Sequence, residues 1–352
     1  MGVKIVGVGS FIPASVKGNS DFLKHHFYTN DGKLFEDEPD LIIRKFEKIT
    51  GIQERRYVEN ELTVSDIAVV ASQRAIENAN INPEELDYII FAHNFGDVKS
   101  DSNQTDIVPS LASRVKHQLK IENPSCKAYD MIFGCPGWVE SCIHAKAFID
   151  ADIAKNCLII GAETLSRVVD PHDRDSMIYA DGAGACVLSA SDKEGGILTH
   201  ATESHTFKES NYIYFDRSFN PDIEENTKYI KMHGRKIYNF ALSKVPLAMK
   251  KCLDESGFKI NQLKKVFIHQ ANEKMDEAII TRFYQLYNET PPKGIMPMSI
   301  KNLGNSSVAT IPTLYDLYLQ GEFGGNDFKK GDIIMFASVG AGMNINAITY
   351  QY

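Results

Sequence analysis

The stretch 129–141, Tyr-Asp-Met-Ile-Phe-Gly-Cys-Pro-Gly-Trp-Val-Glu-Ser, constrains the fold of this chain more than any other. The apolar run Met131, Ile132, Phe133 predicts a buried strand over 129–133 that enters a tight Gly-Cys-Pro-Gly turn. Beyond the turn Trp138, Val139, Cys142, Ala145, Ala147, Phe148 and Ile149 recur at roughly helical spacing. Pro136 suits a first helical position, where a missing N–H is no loss. Cys135 is thus expected at a helix N-terminus, where unpaired N–H groups and the positive end of the dipole stabilise negative charge and favour a thiolate. A cysteine is by default a small inert hydrophobe, and Cys126, Cys142, Cys157, Cys186 and Cys252 read that way. Cys135 differs because strand, turn and helix start converge on it.

With 352 residues, 43% hydrophobic and 24% charged, the chain has the composition of a globular protein of one large or two medium domains. A net charge of −8 argues against a general nucleic-acid binder. No stretch reaches the roughly 18 apolar residues that span a bilayer. The N-terminus runs straight into a strand pattern without a signal peptide's layout, and Val6 stands where myristoylation wants Ser or Thr. The six cysteines lack zinc-site or disulfide spacing, so a cytoplasmic protein with reduced thiols and no metal is expected.

Strands are predicted over 3–8, 86–92, 158–161, 181–188 and 263–268, and helices over 39–49, 63–78 (capped by Ser65), 109–119 and 238–253. Segment 94–108 is a long polar loop, and Gly7-x-Gly9 is a turn rather than a nucleotide motif. Each half carries a helix, a turn, an Ile-Asn element and a buried strand, with Gly-Ala-Gly turns late in each, at 182–184 and 340–342. We read a faint duplication into two α/β halves, 1–194 with the cysteine and 195–352 facing it.

Three further stretches carry chemistry. His-Gln-Ala-Asn at 269–272 follows a buried strand, and strand ends are where α/β proteins gather ligands. Gly-Asn-Ser-Ser at 304–307 precedes an apolar helix, and the glycine-rich 337–344 segment can bring a backbone N–H close to a ligand. Alone, each is equally well a core histidine, a plain turn or a strand end.

Together, in this order, these motifs resemble the thiolase-fold condensing enzymes, and among them β-ketoacyl-acyl carrier protein synthase III. The resemblance implies a five-layered αβαβα homodimer in which Cys135 is the nucleophile and His269 and Asn305 complete the catalytic set. It further implies acyl transfer to Cys135, an oxyanion held by the N–H groups of Cys135 and Ala341, and decarboxylative Claisen condensation with malonyl-acyl carrier protein. No cofactor is implied beyond acyl-coenzyme A or acyl-carrier-protein substrates. Arg174, Asn272 and Trp138 are the expected substrate-binding residues, and Arg235, Lys236 and Lys274 would meet an acidic carrier protein. Departures from the family pattern are Gly-Cys-Pro-Gly-Trp at the nucleophile, Lys45 where the family's adenine-stacking tryptophan falls, and an elaborated 208–231 segment. They point to a specialised member in lipid or polyketide synthesis. Two alternatives stand: joining of two acyl or β-ketoacyl thioesters without malonate, which would want a carboxylate of Asp97, Asp101 or Asp106 at Cys135, and a non-catalytic partner subunit.

Overall fold

A computed structural model describes residues 2–223, 226–324 and 326–352. Glu224 and Glu225, inside the elaborated 208–231 segment, lie outside the described residues, as does Met1. One sheet has five strands in the order Gly2–Phe11, Asp181–Ser191, Asn156–Thr164, Tyr88–Ala92, Lys127–Met131. A second large sheet has four, in the order Leu263–Ile268, Ile333–Gly340, Asn344–Gln351, Gly196–Ser204. The chain changes sheets between Ser191 and Gly196.

The helices that pack on the two large sheets sort into three layers, while Pro39–Thr50 packs apart with Phe22, Phe27 and Met177. Helices Gly137–Asp150 and Thr310–Leu319 are apolar on most sides, and their buried residues pack with both sheets in one cluster that joins Val3, Ile159, Phe267 and Phe336. A helix buried all round belongs in the middle of a fold. Val64–Ala79 and Leu111–Gln118 cover the outer face of the first sheet, and Gly234–Glu255 and Glu273–Gln285 that of the second. The order is helix, sheet, helix, sheet, helix: the expected αβαβα layering.

Local departures have local causes. The strand before Cys135 is Lys127–Met131, ending two residues earlier than the apolar run suggests, and Ile132 is left exposed. The next helix begins at Gly137 with Pro136 as its N-cap, so Cys135 lies just outside it. Thr63, not Ser65, caps Val64–Ala79, pairing with Asp66 in a capping box, while Ser65 is drawn to Asp97. The 182–184 glycines lie within a strand rather than a turn. The 208–231 segment carries a two-stranded hairpin, Ile213–Arg217 with Lys228–Met232.

Candidate active site

Strands Tyr88–Ala92, Lys127–Met131 and Asn156–Thr164 run parallel, pairing Ala92 with both Met131 and Gly161. Their carboxyl ends therefore deliver Asn94, Cys135 and Glu163 to one place. In the second sheet Leu263–Ile268 runs parallel to Ile333–Gly340, which ties the His269 amide to the Ala337 carbonyl at 2.9 Å and leaves the Gly340–Ala341 turn at the matching end. The two crevices face each other across the buried helices and form a cavity of about 790 Å³. Cys135, His269, Asn305, Ser307, Asn94 and Ala341 all line it.

The close approach of the two halves depends on absent side chains. A Cβ on Gly340 would stand 2.4 Å from the Cys135 nitrogen. One on Gly161 would stand 2.4 Å from the Val308 oxygen, which is how the 304–309 loop settles on the first sheet. The N–H groups of Cys135 and Ala341 both favour negative charge on the Cys135 sulfur.

The expected resting thiolate is corrected. Burial pushes the Cys135 thiol up to about 11, and the Ser307 hydroxyl and the two N–H groups only partly offset it. Desolvation outweighs the helix end because Cys135 precedes the helix and faces apolar walls. Burial also lowers the His269 imidazole to about 4, so it is neutral near pH 7. Among the described residues its Nδ1 is buried without a hydrogen-bond partner. Gln270 holds the following turn by donating to the Pro297 carbonyl at 2.8 Å and accepting from the Ser299 and Ile300 amides. Asn305 Oδ1 accepts the Ser307 N–H at 2.8 Å, so Nδ2 is the group with which this side chain can donate.

Arg174 lines the cavity, half exposed, with its guanidinium 5.2 Å from the Phe35 ring. Lys45 lines the same region and pairs with Asp37 at 2.5 Å. Asn272 lines it too, and its Oδ1 caps helix Glu273–Gln285 by accepting from Met275. Arg235 lies on the lining, while Lys236 and Lys274 are exposed outside it. Trp138 is corrected: it is 1% exposed, sits edge-on to Phe336 in the central core and does not line the cavity. Its helical spacing with Cys142 and Ile149 marks that core face. Loop residue Asp97 is held by Ser65 and Arg114, and Asp106 by Arg114; neither they nor Asp101 line the cavity. The carboxyl that does influence Cys135 is Glu163, which sequence reasoning missed.

Two family models match, 3-oxoacyl-[acyl-carrier-protein] synthase III over residues 129–206 and its C-terminal counterpart over 253–352. The chain is 31% identical over 350 residues to β-ketoacyl-[acyl-carrier-protein] synthase III of Vesicomyosocius okutanii, covering 99% of this chain and 98% of that one. The chain belongs to the β-ketoacyl-acyl carrier protein synthase III family. The crystal structure of the Aquifex aeolicus synthase III superposes with a TM-score of 0.79 at 30% identity over all of both chains. The priming β-ketosynthase of the R1128 polyketide pathway, at 22% identity and a TM-score of 0.82, shares the fold over 99% of this chain and 96% of its own. This is the thiolase-like fold, and the family's members are acyltransferring condensing enzymes. Among the described residues no helix is long and apolar enough to cross a membrane.

Proposed function

We propose that the protein transfers an acyl group from a coenzyme A or carrier-protein thioester to Cys135 and condenses it with malonyl-acyl carrier protein. The observation that carries this reading is the meeting of Cys135, His269 and Asn305 in one cavity, with the Cys135 and Ala341 N–H groups on the sulfur. The Cys135 sulfur attacks the thioester carbonyl, the N–H groups hold the oxyanion, and the carrier leaves as a free thiol that takes the cysteine's proton. Neutral His269 is suited to pass that proton. Malonyl-carrier then loses CO₂, leaving an enolate whose oxygen meets the His269 imidazole and Asn305 Nδ2. Its carbon forms a bond to the acyl carbonyl, the carbon–sulfur bond breaks, and one proton from solvent restores the thiol. Neither half-reaction needs a cofactor. A neutral imidazole and a neutral amide suit an enolate formed by decarboxylation, since no base is needed to generate it.

The absence of Asp97, Asp101 and Asp106 from the lining favours this over the malonate-free joining of two acyl thioesters. Arg235, Lys236 and Lys274 are proposed to dock an acidic carrier protein, Arg174 to meet the phosphopantetheine entrance, and a second copy of the chain to complete a cytoplasmic homodimer. Intact-protein mass spectrometry after incubation with a panel of acyl thioesters tests the first half-reaction. One acyl adduct, absent in Cys135→Ala, is expected. An adduct that survives in Cys135→Ala would sink the assignment.

A further inference from the structure

Behind Cys135 stands a run of three polar side chains that the condensation itself does not explain. Ser307 Oγ donates to Cys135 Sγ at 3.2 Å and accepts from Asn94 Nδ2 at 3.1 Å. The same amide nitrogen donates to Glu163 Oε1. Glu163 is 1% exposed near the carboxyl end of strand Asn156–Thr164, a buried setting where a carboxyl is costly without a task. Ser307 holds a left-handed φ of 52°, a conformation a serine keeps only where its surroundings fix it; the Asn305 side chain does so by accepting its N–H.

We propose that Glu163, Asn94 and Ser307 form a positioning relay that aims a hydroxyl proton at Cys135 Sγ and so sets how readily this thiol ionises. The inference rests on the reading of Cys135 as nucleophile. An amide nitrogen carries two protons and accepts none. With Glu163 and Ser307 both taking protons from Asn94, the Ser307 oxygen has its lone pair engaged and its own proton free for the sulfur. Glu163 fixes which way round the Asn94 amide sits. Burial pushes Glu163 up to about 8, against the pull of the Asn94 side-chain and backbone N–H groups. Near pH 7 it is therefore a neutral acceptor; once ionised, it opposes a thiolate. The titratable groups facing this cluster are Asp181 on Glu163, and Glu163 and Tyr179 on Cys135, with His269 on the same cavity.

The test is alkylation of Cys135 by iodoacetamide across pH, followed on the Cys135 peptide by mass and paired with a melting curve for each variant. Removing the hydroxyl with Ser307→Gly, which tolerates the left-handed backbone, or turning it away with Asn94→Asp should raise the alkylation midpoint. Labelling at neutral pH should slow about ten- to hundredfold, the span of one hydrogen bond to a charged group. Glu163→Gln keeps an oxygen for Asn94, so it should label like wild type at pH 7 and faster than wild type above pH 9. Unchanged midpoints in folded Ser307→Gly and Asn94→Asp overturn the relay. So does a Glu163→Gln protein as slow as Asn94→Asp at pH 7, because the substitutions would then merely loosen the pocket. Alkylation uses no thioester: a protein that labels as expected yet never takes an acyl group refutes the condensation reading and leaves the relay standing.

Discussion

Substituting Gly340 by alanine isolates the contact on which the active site depends. The residue's φ of −165° is extended backbone open to any side chain, so the substitution acts through space alone. Its methyl would lie 2.4 Å from the Cys135 nitrogen, 2.7 Å from Pro136 Cδ and 2.8 Å from Cys135 Cβ. Two of these are atoms of Cys135 itself, and none is the end of a flexible side chain, so the strand end at 340–341 must retreat by about 1 Å, a displacement that costs about 10²-fold when it falls between reacting groups. Loss of Ala341 as a donor to the proposed oxyanion site sets an upper range of about 10²–10³-fold in the acylation rate. Crowding alone costs about 1–3 kcal/mol of stability. Gly184→Ala serves as the control: its Cβ would meet Pro312 at 2.7 Å, also too close for a real Cβ contact and away from the cavity lining. Pre-steady-state acylation by quench-flow, with urea unfolding of both proteins, separates the two effects. Both variants should lose stability, and only Gly340→Ala should lose acylation rate. Wild-type acylation by a folded Gly340→Ala protein would refute the claim that the Cys135–Ala341 approach drives the first step.

Other outcomes follow from the same geometry. His269→Ala should keep part of the acylation and lose the condensation, read as acyl-enzyme that persists on adding malonyl-carrier; turnover at the wild-type rate would contradict the role. Because burial holds His269 at about 4, below the 6.5 of an unperturbed histidine, the imidazole stays neutral as pH falls through 6.5; condensation from preformed acyl-enzyme should show no inflection there, and one centred at that pH would count against a dry, neutral imidazole. Lys231 is fully buried between Asp170 and Asp173, so Lys231→Met should cost about 3–5 kcal/mol in urea unfolding by leaving the carboxyls uncompensated; a loss under 1 kcal/mol would refute that burial argument. Arg235→Glu with Lys274→Glu should raise KM for acyl-carrier-protein and leave it unchanged for a short thioester lacking the protein, and an equal effect on both would remove these residues from docking.

The parts of the site that are legible in the sequence are those written as strand ends. Cys135, His269, Asn305 and Ala341 each follow an apolar run or sit in a glycine-bearing turn, and the resemblance that these motifs carry in their order, rather than spacing alone, implies their convergence. The relay is not legible in this way. Asn94 looks like the first residue of a polar loop, and Ser307 lies 213 positions away from it. Only the parallel register that pairs Ala92 with Gly161 joins Asn94 to Glu163. A signal is present: Glu163 is a lone carboxylate in an otherwise apolar strand, which rarely persists without a partner. Trp138 misleads because its size suggests a pocket wall, whereas its spacing along a helix buried between two sheets assigns it to the core. The thiol's ionisation is misjudged because a helix end is visible in a sequence and the dry cavity around it is not.

A single turnover on preformed acyl-Cys135 decides whether this cysteine carries a condensing enzyme's acyl intermediate. Acylated protein is freed of donor, mixed with malonyl-acyl carrier protein, and followed by intact mass for protein and carrier together. The acyl mass should leave the protein as β-ketoacyl-carrier appears in equal amount, with one CO₂ released per acyl group. Acyl-enzyme that persists, or that empties without a β-ketoacyl product, would contradict it.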